Sequence, residues 1–67
     1  MIHVTINGEL RTIPDSQSVL DLLRELGLEP ARVAVELDRH ILKQPRWADT
    51  LLRNGAQLEI VQFVGGG

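Results

Sequence analysis

The residues best suited to chemistry in this chain carry no side chain. Three glycines, Gly65-Gly66-Gly67, follow directly on the apolar run Leu58-Glu59-Ile60-Val61-Gln62-Phe63-Val64. Glycine has no Cβ, so such a stretch can enter a slot that any side chain would block. Gly67 is expected to present a terminal carboxylate as a chemical handle, with Gly65 and Gly66 as a thin leader that can thread a narrow slot. An isolated glycine run is ordinarily a frayed end; the order of elements before it argues for more.

The remaining polar residues offer little catalytic chemistry. His3 and His40 have no metal-ligand spacing and no paired nucleophile, so each reads as a surface strand residue. There is no cysteine, so any sulfur handled here sits elsewhere than on a cysteine side chain. Gly65 to Gly67 precede no helix and make no phosphate-cradling loop. A nucleotide would therefore be bound by a partner, and no cofactor or metal is expected on this chain. Lys43 is the only lysine and reads as solvated. Glu36, Asp38 and Glu59 read as a solvated charge set.

Val61 and Phe63 are more telling. Strand alternation places them on the sheet face opposite Leu58 and Ile60. An apolar patch beside a reactive tail reads as a partner-docking surface.

The elements that must position this tail are legible. The chain has 67 residues and a net charge of −2, with 43% apolar and 24% charged residues. That suits one small domain and argues against nucleic-acid binding. No apolar run is long enough to span a membrane and no signal peptide is visible, so the cytoplasm is the expected location.

Ile2, Val4 and Ile6 alternate with polar residues as in a half-buried strand. Asn7-Gly8 is a strong hairpin signal, and Glu9 to Ile13 returns as a second strand. Ser18 and Asp21 form an N-terminal capping pair. Val19, Leu22, Leu23 and Leu26 then make one apolar helix face. Gly27 and Leu28 fit a Schellman stop.

Arg32 to Leu37 reads as a third strand and His40 to Leu42 as a short edge strand, joined by a turn at Asp38-Arg39. Pro45 to Leu52 is an irregular connector, expected to be pinned to the core by Trp47, Leu51 and Leu52. Asn54-Gly55 turns into the last strand, Gln57 to Phe63. One sheet gripping one helix predicts an α+β fold of the β-grasp type: a mixed five-strand sheet in the order 2-1-5-3-4. Residues 1–64 form the domain and 65–67 a flexible tail.

Several segments together resemble the ThiS family, sulfur carriers of thiamine (thiazole) biosynthesis with a ubiquitin-like β-grasp fold. They are Ile6-Asn7-Gly8-Glu9, Ser18-Val19-Leu20-Asp21-Leu22-Leu23, Val33-Ala34-Val35-Glu36-Leu37, Trp47-Ala48-Asp49-Thr50-Leu51-Leu52 and Leu58 to Gly67. The likeness runs in order along essentially the whole chain. Two loop positions depart from the family pattern: Pro45 stands closer to Trp47, and Ala56 follows Gly55 where an Asp is usual.

The resemblance implies a carrier rather than an enzyme. A ThiF-like adenylating enzyme, using ATP and magnesium, would activate the Gly67 carboxylate. A persulfide donor would convert it to a thiocarboxylate, and a ThiG-like thiazole synthase would receive the sulfur. Two alternatives share the tail. One is a carrier for another pathway, resembling the small subunit of molybdopterin synthase or feeding cysteine or a thiolated metabolite. The other is a ubiquitin-like protein modifier.

Overall fold

The computed structural model describes residues 1–63. The expected tail flexibility, the domain boundary after Val64, and the reading of Gly65, Gly66 and Gly67 all lie outside the described residues.

Strand β1 (Ile2–Ile6) pairs antiparallel with β2 (Glu9–Ile13). Asn7 and Gly8 join them at φ 50° and 84°, the two positive values that a type I′ turn requires. Helix α1 (Val19–Glu25) begins at a complete capping box. The Asp21 N–H donates to Ser18 Oγ at 3.0 Å, and the Ser18 N–H donates to Asp21 Oδ2 at 3.1 Å. The Ser18 hydrogen bonds, first from the backbone and then from the side chain, hold the Asp21 carboxyl below the usual aspartate value.

The helix stops in a Schellman motif. Gly27 N–H reaches Arg24 O and Leu28 N–H reaches Leu23 O, both at 3.0 Å. Gly27 has φ 73°, which glycine adopts without steric cost.

A 3₁₀ turn at Pro30–Arg32 leads into β3 (Val33–Leu37), so Arg32, read as strand from the sequence, belongs to the turn. Asp38 and Arg39, both at positive φ, turn the chain into β4 (His40–Leu42). A second 3₁₀ turn at Gln44–Arg46 opens the connector to β5 (Ala56–Gln62), so Ala56, read as a loop residue, begins the strand and Phe63 lies just past its end. The five strands lie in the order β2-β1-β5-β3-β4. β5 runs parallel to β1 and antiparallel to β3.

The helix covers one sheet face. Leu22, Leu23, Val4, Val35 and Leu58 are almost wholly enclosed between them. Trp47 is buried as expected, and its Nε1–H donates to Leu42 O at 2.8 Å, which satisfies the indole in an apolar setting.

Leu51 departs from expectation: its neighbour Leu52 is buried, but Leu51 itself is 58% exposed. The reason is local geometry. Leu51 bridges Ser18 antiparallel, and Leu52 N–H donates to Gln17 O at 2.8 Å. This segment is therefore extended, and consecutive side chains point in opposite directions.

Candidate functional site

β5 occupies the middle of the sheet, so the chain leaves the domain between β1 and β3 rather than from an edge. Its inward residues Leu58 and Ile60 are buried, while Glu59 and Val61 face away from the helix. This alternation is what the sequence pattern predicted.

Val61 and Phe63 are 58% and 57% exposed, and the structure brings them together at the end of β5. Val61 stands opposite Ala34 on β3, and Ile41 of β4 stands opposite Glu36 on the same open face. Ala34 is exposed and Ile41 is 77% exposed. The apolar surface at the end of β5 is therefore broader than the two residues read from sequence. Ala34 and Ile41 were missed because alternation gives a face but not neighbours, and only the register of β3 with β4 and β5 brings them beside Val61.

Backbone hydrogen bonds set the exit direction. Phe63 N–H donates to Arg32 O at 2.7 Å, extending the β3–β5 ladder past the last residue of β5. On the other edge, Asn7 closes the pairing with β1. Its N–H donates to Leu58 O at 2.9 Å. Its side-chain Nδ2 donates to Ile60 O at 3.1 Å, and its Oδ1 accepts from the Ile60 N–H at 2.7 Å. Sequence reading found Asn7 only as a turn residue.

The described residues otherwise hold little that is chemically reactive. No group of three or more His, Cys, Asp or Glu among them could bind a metal. His3 and His40 are exposed and far apart in the sheet order, on β1 and β4. Lys43 is exposed. Among the described residues no helix is long and apolar enough to cross a membrane.

Comparison with known proteins places this geometry in a family. The sequence-family model of the ThiS family matches residues 4–67. A protein of Paramagnetospirillum magneticum named thiazole synthase is 42% identical over 66 residues, covering 98% of this chain and 20% of that protein. The chain thus spans only 20% of the length of the thiazole synthases it matches. The sulfur carrier protein ThiS of Bacillus subtilis is 35% identical over 63 residues, covering 92% of this chain and 96% of that one. The crystal structure of the thiamine biosynthesis protein ThiS from Geobacter metallireducens superposes with a TM-score of 0.84 at 30% identity, covering 98% of this chain and 100% of the other. With the sheet order, the central β5 and the match over nearly its whole length, the chain belongs to the ThiS family.

Proposed function

We propose that this chain is a cytoplasmic sulfur carrier for the thiazole of thiamine, and that the Gly67 carboxylate bears the sulfur. The observation that supports this most is the family match, which runs through residue 67 and so includes the glycines. The central placement of β5, with exposed Val61 and Phe63 at its end, supports a docking surface next to that tail.

The chemistry follows from the weakness of a carboxylate as an acyl donor. In the active site of a ThiF-like enzyme with magnesium, a Gly67 carboxylate oxygen attacks the α-phosphorus of ATP. The α–β phosphoanhydride bond breaks and pyrophosphate leaves. The terminal sulfur of a persulfide then attacks the acyl carbon and AMP departs, leaving an acyl disulfide. A thiol cleaves that disulfide, taking the outer sulfur as a new disulfide and leaving a thiocarboxylate on Gly67. These 67 residues contain no cysteine, so persulfide and thiol both come from partners.

The domain acts as co-substrate and handle, while the reactive groups are supplied around it. A ThiG-like thiazole synthase is the proposed recipient. In its favour, sequence similar to this chain lies within proteins named thiazole synthase.

Appending one residue after Gly67 tests the reading, because it places the reacting carbon in a peptide bond. The extended chain is expected to fold and bind the adenylating enzyme, yet accept neither AMP nor sulfur. Thiocarboxylation of the extended chain without prior trimming would refute a terminal-carboxylate mechanism. Isopeptide conjugates of the unextended chain, in place of a thiocarboxylate, would favour the modifier reading.

A further inference from the structure

We propose that Asn7 is a positioning residue for the tail chemistry, acting through Ile60; this rests on the sulfur-carrier reading above. β1 ends at Ile6 and its register with β5 stops at Ile6↔Leu58. The chain then turns away at Asn7 with φ 50°. Without a substitute, β5 would lose its neighbour on that edge from Ile60 onward.

The Asn7 carboxamide is that substitute. It presents an N–H donor and a C=O acceptor side by side, as a peptide group does. Both engage the Ile60 backbone, at 3.1 Å to its C=O and 2.7 Å from its N–H, across 53 residues of sequence. The side chain thus adds one further rung to a parallel ladder after the backbone of β1 has left it.

The position of that rung matters. Alternate residues of a strand direct their N–H and C=O to the same edge. Leu58 and Ile60 bond toward Asn7, whereas Phe63 bonds toward Arg32. Gln62 therefore directs its backbone groups to the β1 side, past the end of β1. Among the described residues Ile60 is the last held from that side, while Phe63 is held from β3. Asn7 sets where β5 stops being clamped on both edges, and so the direction in which the chain toward Gly67 departs.

Reactive geometry needs atoms placed within about 3–3.5 Å, and a displacement of about 1 Å can cost about a hundredfold in rate. Loss of the rung is expected to affect turnover more than docking, because Val61 and Phe63 keep their exposed positions.

Two variants test this. Asn7→Gly keeps the positive φ and removes the amide. Asn7→Asp also tolerates the turn but keeps only the acceptor for the Ile60 N–H. The readouts are hydrogen exchange at the Ile60 amide and steady-state pyrophosphate release by the adenylating enzyme, at matched thermal stability. For Asn7→Gly, Ile60 exchange should rise by about tenfold or more, as expected of a locally opened rung. Its kcat should fall by about tenfold to a hundredfold with KM within about twofold, the pattern of lost positioning rather than lost binding. Asn7→Asp, whose second carboxylate oxygen would face the Ile60 C=O, should also lower kcat and speed Ile60 exchange, and carries the test alone if Asn7→Gly does not fold.

Wild-type kcat in a folded variant with faster Ile60 exchange would leave Asn7 purely structural and overturn the proposal. So would a raised KM at unchanged kcat, or a lowered kcat with Ile60 exchange unchanged. A wild-type chain that releases no pyrophosphate in the same assay would instead overturn the carrier reading on which the proposal rests.

Discussion

Glu36 and Glu59 stand directly opposite each other on β3 and β5, on the sheet face that carries no helix. Neither forms a salt bridge among the described residues. Like charges in facing positions of adjacent strands destabilise a sheet. Glu59→Lys should therefore raise stability by about 0.2–1 kcal/mol, read as an increased midpoint of thermal or urea unfolding. A lowered midpoint would show that the facing carboxylates are not in tension in the free protein.

Phe63 lies farther along the same face, beyond the Ala34–Val61 pair, and is 57% exposed. Phe63→Asp should leave the fold within about 0.5 kcal/mol, as for other surface changes. Binding to the adenylating enzyme should weaken by about 2 kcal/mol or more, because an unpaired charge would enter a desolvated contact. Unchanged adenylation kinetics at unchanged stability would move the docking surface away from Phe63.

The core prediction concerns Leu23, which is fully buried between α1 and the sheet. Leu23→Ala should cost about 2–5 kcal/mol, combining lost burial with the cavity left behind. Chemical denaturation measures it. A cost below about 1 kcal/mol would mean that the surrounding side chains collapse into the gap.

The capping box makes stability depend on pH. Asp21 is held below the usual aspartate value in the folded chain by its Ser18 hydrogen bonds. The unfolded chain therefore takes up this proton first as pH falls. The contribution of Asp21 is complete above the unfolded value, about 3.9 for aspartate, and is lost as pH falls through the lower folded value. Asp21→Asn should flatten the acid side of the stability profile, measured as unfolding midpoints from neutral pH downward. Ser18→Ala should cost about 1 kcal/mol at neutral pH through the lost cap. An Asp21→Asn profile as steep as that of the wild type would assign the acid sensitivity to other carboxyls.

Much of this architecture was legible because its signals are local. Ser18 and Asp21 are three residues apart, Gly27 and Leu28 end the helix they adjoin, and Asn7-Gly8 makes its own turn. Each follows from chain chemistry within one turn of structure. The strand order was legible because a hairpin, one crossing helix and a final apolar strand have few ways to share a sheet. Leu51 was misplaced because the connector has no periodicity from which to read a face. The carboxamide rung from Asn7 to Ile60 was invisible for a different reason: its partners lie 53 residues apart and meet only through the parallel β1–β5 register. At the site, the outward direction of Val61 and Phe63 could be read by alternation, whereas the contributions of Ala34 and Ile41 needed the register of β3 with its two neighbours.

The most direct test of sulfur carriage is the intact mass of the protein produced together with its adenylating enzyme and a persulfide donor. Exchange of one carboxylate oxygen for sulfur adds about 16 Da, and fragmentation should place that increment at Gly67, the proposed carried group. The increment should vanish when the adenylating enzyme is withheld. A mass that never changes with all partners and ATP present, or an increment located elsewhere than Gly67, would contradict the account.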